Sequence, residues 1–158
     1  MGRMASAALF ASAAVGGLAA LSFADESYFR AIGRAPDNSL PNTAFGFSRA
    51  YGISGDGTTV VGSYNSGSAG ETPFVLPLTD NRFTRLPGIG GNDRAGEARA
   101  ATLTGNVIVG RLLRQGAQRA ARWTRVGSGY SPTLLGPVGG VTPEIALDVS
   151  ATGNVIVG

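Results

Sequence analysis

The sequence repeats a short pattern at a fixed interval of 48 residues, and this period constrains its fold more than any single residue. The pattern reads Ala-x-x-h-[Ser/Thr]-x-x-Gly-x-x-h-h-Gly, where h is mostly aliphatic. Its invariant positions are Ala50, Gly57, Gly62, Ala98, Gly105, Gly110, Ala146, Gly153 and Gly158. A period of roughly 20–50 residues is typical of repeat proteins, in which each copy buries its apolar face against its neighbours.

Each copy divides into four short segments rich in β-branched and aliphatic residues, separated by Gly, Pro or Asn. In the second copy these segments are 98–103, 107–112, 119–125 and 132–135. The pattern predicts an antiparallel four-stranded meander. We therefore expect an all-β fold of four-stranded antiparallel units of 48 residues, forming part of a β-propeller. A β-solenoid is the alternative, although it would require an inner period shorter than 48.

The repeated small residues have structural explanations. Gly57 and its copies suit a tight hairpin turn that needs a positive φ angle. Gly62 and its copies end the strongest strand, where a bulge or a close backbone approach favours glycine. The repeated alanines suit places where neighbouring copies leave no room for a larger side chain. Phe74 and Trp123, which lie 49 residues apart, are expected to be equivalent large apolar residues of the third strand.

The amino terminus predicts a cleaved secretory signal peptide over residues 1–24. Arg3 precedes an uncharged apolar run, and Ser22-Phe23-Ala24 places small residues where a signal peptidase reads them. An uncleaved membrane anchor is the alternative. The remaining divisions are an N-terminal segment (25–47) that supplies an outer strand, repeat 1 (48–95), repeat 2 (96–143) and a truncated repeat 3 (144–158). Because the third copy stops at Gly158, we expect a fragment that can self-associate through an unpaired C-terminal strand edge.

Composition limits the classes of partner. There is no cysteine, so packing and backbone pairing must hold the chain together without disulfides. All thirteen basic residues are arginines, interleaved with acids rather than clustered. This distribution argues against nucleic acid and anionic membranes as partners. We expect a glycan or a cell-surface protein as partner, with membrane contact only through the signal segment or a missing C-terminal anchor.

Composition also excludes several kinds of chemistry. Without His, Cys or Lys, the chain cannot form a Ser-His-Asp triad, a cysteine nucleophile, a Cys/His zinc site, a Schiff base or a P-loop. The candidate carboxylates lie in or beside predicted turns, where capping and solvation explain them. They are Asp56, Asp80, Asp93, Glu97, Glu144 and Asp148. We therefore expect no enzyme, and no catalytic, cofactor-binding or metal-ligating residues.

Three segments resemble the HAF-type repeat family of bacterial exported proteins. They are Ala50-Tyr51-Gly52-Ile53-Ser54-Gly55-Asp56-Gly57-Thr58-Thr59-Val60-Val61-Gly62, Ala120-Ala121-Arg122-Trp123-Thr124 and residues 146–158. The sequence departs from this family at 101–104, where the Asp-Gly turn is missing, and the first copy lacks the tryptophan. The resemblance implies an exported protein, some relatives of which look like autotransporter passengers, but no established activity. We expect a periplasmic, outer-membrane-associated or extracellular location.

Three functional classes follow. The first is a surface-display or ligand-binding module with variable loops at 65–70, 90–96 and 113–118, and with Tyr64, Trp123 and Tyr130 as candidate ligand contacts. Trp123 fits the core better than a binding surface. The second class is a glycan hydrolase on a propeller, which needs two carboxylates about 5–10 Å apart in a cleft. The third is a structural autotransporter passenger.

Overall fold

The computed structural model describes residues 47–65, 70–79, 82–90 and 95–158, all within one compact unit of the chain. The predicted signal peptide (1–24), all but the last residue of the N-terminal segment (25–47), Asp80 and Asp93 lie outside the described residues. Within the described ranges the secondary structure consists of ten strands and no α-helix. None of these residues forms a helix long and apolar enough to cross a membrane.

The strands form two four-stranded sheets and one hairpin. The first sheet contains β1 (Ser48–Ile53), β2 (Thr59–Asn65), β3 (Glu71–Pro77) and β4 (Thr84–Arg85), in that order. The second sheet contains β5 (Gly96–Ala101), β6 (Val107–Arg114), β7 (Ala117–Val126) and β8 (Gly129–Leu134), also in order. The hairpin, which we call the third hairpin because it is the third unit along the chain, pairs β9 (Asp148–Val149) with β10 (Ile156–Val157). All pairings within these sheets are antiparallel, so the predicted all-β class with four-stranded antiparallel sheets is confirmed.

The first two sheets share one irregularity in their opening strand pair. Ala50 pairs with Gly62 and Ala98 pairs with Gly110, and the register shifts immediately afterwards in both sheets. A Cβ atom on Gly62 would overlap the backbone carbonyl oxygen of Arg49. A Cβ atom on Gly110 would overlap that of Glu97 in the same way. Close backbone approach beside a bulge therefore requires glycine at both positions.

The turns after the opening strands lie beside one another at one end of the structure. Gly57 and Gly105 adopt positive φ angles of 72° and 70°, as a tight turn demands. The Asp56 amide donates a hydrogen bond of 2.8 Å to the carbonyl oxygen of Leu103. The Leu103 amide in turn donates one of 3.2 Å to Ala151, in the turn of the third hairpin. Backbone hydrogen bonds thus join the three successive units through equivalent turns.

The core lies between the units, because alternate residues of each strand face opposite sides of its sheet. One apolar cluster joins the first sheet to the second and consists of Val61, Val75, Leu86, Ala98, Ile108, Leu112, Ala121 and Trp123. A second cluster joins the second sheet to the third hairpin and consists of Ala100, Val107, Val109, Ala120, Ala146 and Val149. A third lies on the other face of the first sheet and consists of Val60, Tyr64, Phe74 and Leu76. The first two clusters therefore bury apolar residues of one unit against the next.

The predicted equivalence of Phe74 and Trp123 is wrong. Phe74 pairs with Gly62, whereas Trp123 pairs with Ile108. Because Ile108 is the counterpart of Val60, which pairs with Leu76, Trp123 occupies the position of Leu76. The connection from β2 to β3 is one residue longer than that from β6 to β7, so the offset between these strands is 47 residues and not 49.

Candidate functional site

The three candidate aromatic contacts lie in different surroundings. Tyr64 is buried against Phe74, with ring centroids 6.5 Å apart. Trp123 is completely buried, and its indole Nε1 donates a hydrogen bond of 2.8 Å to the carbonyl oxygen of Pro87. Tyr130 alone among the three lines an open pocket. The structure therefore does not bring the three aromatic side chains together, and only Tyr130 is placed to contact a ligand.

The pocket at Tyr130 lies at the junction of the first and second sheets and has a volume of about 270 Å³. Hydroxyl-bearing side chains dominate its wall, so we call it the hydroxyl pocket. Its lining residues are Thr58, Thr59, Val75, Pro77, Thr79, Thr84, Thr104, Arg125, Ser128 and Tyr130. Such a wall offers many hydrogen-bond donors and acceptors. Among these lining residues the one charged side chain is that of Arg125, which is exposed.

Hydrogen bonds fix the floor and one side of the hydroxyl pocket. The Tyr130 hydroxyl donates to the carbonyl oxygen of Gly105 at 2.9 Å, which anchors the ring between the two sheets. Burial raises the pKa of Tyr130, and the nearby positive charge of Arg125 opposes that rise. Tyr130 therefore stays neutral at physiological pH. The Thr58 hydroxyl donates to Asp56 at 2.8 Å, so its oxygen remains able to accept from a ligand.

A second polar cluster joins the same two sheets. Glu97 on β5 is only 3% exposed and forms ion pairs with Arg99 and Arg111. Glu71 on β3 pairs with Arg49 at 2.7 Å. The Glu71 and Glu97 carboxyl groups lie within hydrogen-bonding reach of each other. We call these five side chains the carboxylate cluster.

The two carboxyl groups of this cluster have pKa values shifted in opposite directions. Burial and the neighbouring Glu97 raise the pKa of Glu71. Burial alone would raise the pKa of Glu97 as well, but the hydrogen bond from Glu71 and the charges of Arg111 and Arg99 lower it. As the pH falls, Glu71 is therefore the first of the two carboxyl groups to take up a proton.

Sequence reasoning included Glu97 among the candidate acids but missed Glu71. The contact between them depends on how β3 of one sheet meets β5 of the next, which no local pattern encodes. One signal was available in the sequence. Glu97 on β5 lies directly opposite Arg111 on β6, and Arg99 follows Glu97 by two residues on β5. That alternation is typical of a cross-strand ion pair.

The other described acids lie in turns or at the surface. Asp56 accepts hydrogen bonds from the Ser54 hydroxyl at 2.5 Å and the Thr58 amide at 3.0 Å. These bonds, that from Ser54 above all, lower the pKa of Asp56. Asp148 accepts from the Val149 amide at 2.8 Å, and Glu144 is exposed. Across the described ranges, no three acidic side chains gather closely enough to hold a metal ion.

The predicted variable loops meet different outcomes. The segment 113–118 is mostly strand, because Leu113 pairs with Gln118 and Arg114 pairs with Ala117. Only Gln115 and Gly116 form the turn, and Gln115 adopts a positive φ of 51°. The prediction of a variable loop there is wrong, because β6 continues to Arg114 and β7 begins at Ala117, which leaves a two-residue turn. The interiors of the loops at 65–70 and 90–96 lie outside the described residues.

Comparison with known proteins gives no match. The chain matches no family model, no curated protein and no solved structure. The functional conclusion therefore depends on the geometry of the hydroxyl pocket and of the carboxylate cluster.

Proposed function

We propose that the protein is an exported, non-enzymatic ligand-binding module whose sheets are successive blades of a β-propeller. Support for the propeller comes from the two meanders with the same strand order, the shared bulge, and the turns joined at one end. Support for export comes from the signal-like segment at residues 1–24. The resemblance to HAF-type repeats agrees with export.

The ligand site in this proposal is the hydroxyl pocket, and the ligand is a glycan that carries a carboxylate. The observation behind it is a wall of five threonines, one serine and Tyr130 with Arg125 beside them, at a junction of two sheets. Hydroxyl groups match the alternating donors and acceptors of a sugar, and the Tyr130 ring offers an apolar face. A guanidinium favours an acidic sugar because it can bind a carboxylate with two parallel hydrogen bonds.

The carboxylate cluster does not favour the hydrolase alternative. A glycosidase places its two carboxyl groups about 5–10 Å apart, so that the scissile bond fits between them. Glu71 and Glu97 are instead in direct hydrogen-bonding contact, and three arginines neutralise them. This arrangement matches an ion network that joins two sheets.

The test is an array of neutral and acidic oligosaccharides, followed by NMR titration of the mature chain with the tightest binder. We expect acidic sugars to bind and Arg125→Ala to weaken binding about tenfold, as loss of a charged hydrogen bond predicts. Arg85→Ala, which removes an exposed arginine of β4 outside the pocket lining, is the matched control and should leave affinity unchanged. Equal affinity for wild type and Arg125→Ala, or sugar release during incubation, would contradict the proposal.

A further inference from the structure

The hydroxyl pocket has a buried, largely apolar base. Val75 is 2% exposed and belongs to the apolar cluster that joins the first sheet to the second, and Tyr130 packs against that cluster. Thr59 is also buried, and Pro77 is half-buried. The pocket therefore ends on the core of the junction instead of passing through it.

Exposed polar side chains surround the mouth of the pocket. They come from both sheets and from the turns between their strands, and they are Thr58, Thr79, Thr84, Thr104, Arg125 and Ser128. Because the charged member of this set is Arg125, the carboxylate of a ligand would lie at the mouth and not at the base. A sugar ring has the matching polarity, since one of its faces is apolar and its hydroxyl groups surround its edge.

Backbone hydrogen bonds hold the two walls of the pocket in place. In the first sheet, the Leu78 amide donates to the carbonyl oxygen of Thr58 at 2.8 Å. In the second sheet, the Arg125 amide donates to the carbonyl oxygen of Asn106 at 2.8 Å. The turns of the two sheets are themselves joined by a backbone hydrogen bond. The pocket is therefore formed before a ligand arrives, and it cannot widen into a long cleft without breaking these bonds.

The size of the pocket limits the number of sugar rings that it can hold. Pockets for drug-sized ligands occupy roughly 300–1,000 Å³, and a disaccharide is itself a ligand of that size. At about 270 Å³ the hydroxyl pocket lies below this range. It therefore has room for one sugar ring and a few water molecules, each of which takes about 30 Å³.

We propose that the hydroxyl pocket binds the terminal hexuronic acid residue of a glycan and does not bind residues within a chain. This inference rests on the proposed function, because it takes the ligand of the pocket to be an acidic glycan. The apolar face of the terminal ring lies against Val75 and Tyr130, and its carboxylate accepts hydrogen bonds from the Arg125 guanidinium at the mouth. The rest of the glycan extends into solvent.

Two features of the ligand follow from this placement. A residue within a chain carries a neighbouring sugar on both sides, and a pocket closed at its base leaves no exit for one of the two. A hexuronic acid carries its carboxylate on the same six-membered ring that enters the pocket, so one ring supplies both the apolar face and the charge.

The test compares single sugars with chains that have different ends. The probes are the methyl glycosides of glucuronic and galacturonic acid, an oligosaccharide that ends in the same acid, and the same oligosaccharide with a neutral sugar added at that end. We expect the single sugar and the uncapped oligosaccharide to bind with similar dissociation constants. The neutral cap should raise the dissociation constant about tenfold, as loss of a charged hydrogen bond predicts. Saturation-transfer NMR should give signals from the terminal ring.

Two variants of the protein test the place of the ligand. Ser128→Trp puts a large side chain at the mouth and should abolish binding of the single sugar. Val126→Trp adds the same side chain at an exposed position (65%) outside the pocket lining and should bind as the wild type does. Both residues are exposed, so the fold should persist, which far-UV circular dichroism checks.

The outcomes separate this inference from the proposed function. If the oligosaccharides bind but the single sugars do not, or if the capped and uncapped oligosaccharides bind equally, the terminal-residue inference is wrong while the proposed function stands. If no acidic sugar binds, whether single or in a chain, the proposed function is wrong and this inference fails with it. Equal binding by wild type and Ser128→Trp would also overturn both, because the sugar would then lie outside the pocket.

Discussion

The first and second sheets use one backbone plan with different side chains. Both have four strands in the same order and an alanine–glycine pair before a bulge. They differ at the buried position opposite Val60 or Ile108, where the first sheet has Leu76 and the second has Trp123. They differ again in the turn, since only the first contains an aspartate. At Gly62 and Gly110 a Cβ atom would overlap a backbone carbonyl oxygen, so only glycine fits. The buried side-chain positions accept different residues, as long as the volume is filled and the hydrogen bonds are made.

The largest expected effect tests the difference at Trp123. Trp123→Ala should reduce the free energy of unfolding by about 4 kcal/mol, because it removes a fully buried indole and leaves a cavity. Trp123→Leu, which gives the second sheet the residue of the first, should cost about 2 kcal/mol, since it leaves a smaller cavity and deprives Pro87 of its donor. Urea denaturation measures both. Equal losses for the two variants would mean that the site has no preference for the larger apolar side chain.

The next prediction tests the shared backbone plan. Gly62→Ala and Gly110→Ala should each cost about 3 kcal/mol, because the added Cβ overlaps a backbone carbonyl oxygen that cannot move alone. Gly129→Ala is the control, since its Cβ would meet only one atom, at 4.0 Å. Thermal denaturation should give losses of similar size in the two sheets. A large loss in one sheet and none in the other would contradict the common plan.

The carboxylate cluster tests how the two sheets are joined. Glu97→Gln should cost on the order of 3 kcal/mol, because it leaves Arg99 and Arg111 without their buried counter-charge. Glu71→Gln should stay within about 1 kcal/mol of wild type at neutral pH, since its ion pair with Arg49 is partly exposed and an amide still donates to Glu97. Urea denaturation at pH 7 distinguishes the two. A larger loss for Glu71→Gln than for Glu97→Gln would contradict the assignment of the buried charge.

The pH dependence of this cluster has a defined sign. The pKa of Glu71 is raised above its ordinary value of 4.5, so its favourable contribution is present below that value and is lost as the pH rises through the raised pKa. The pKa of Glu97 is lowered, so its contribution is present above 4.5 and is lost as the pH falls through the lowered pKa. Glu71→Gln should therefore remove the loss of stability at rising pH and leave the loss at falling pH, which belongs to Glu97, unchanged. Carboxyl ¹³C titrations that find two ordinary pKa values would contradict the opposite shifts of Glu71 and Glu97.

The sequence predicts the elements of this fold better than the contacts between them. The turn glycines and the strand segments follow from local chemistry, so the meander could be predicted from one copy. The place of Trp123 could not, because one extra residue between β2 and β3 shifts the pairing and only the strand register reveals it. Glu71 and Glu97 meet because two sheets stack, and the hydroxyl pocket combines residues from five strands and four turns for the same reason. Tyr130 was identifiable as an aromatic contact, but Arg125 beside it was not.

The smallest expected effect concerns the two turns. The Thr58 amide donates to Asp56, whose pKa is lowered from its ordinary value of 3.8, chiefly by the Ser54 hydroxyl. The stabilisation of this turn is therefore complete above 3.8 and is lost as the pH falls through the lowered pKa. Amide exchange at Thr58, corrected for its intrinsic rate, should accelerate in that acid range, and Asp56→Asn should remove the pH step.

The second turn provides the internal control for this effect. Its Val107 amide donates to the Thr102 hydroxyl at 3.0 Å, as the equivalent Thr59 amide donates to the Ser54 hydroxyl in the first turn, and a hydroxyl does not titrate in this range. Exchange at Val107 should show no step between pH 5 and pH 2, the range in which a paired carboxylate loses its charge. A step of equal size at both amides would indicate global acid unfolding. A step at Thr58 alone would establish that the acid sensitivity belongs to the Asp56 carboxylate, which the first turn has in addition to the neutral hydroxyl acceptor that both turns share.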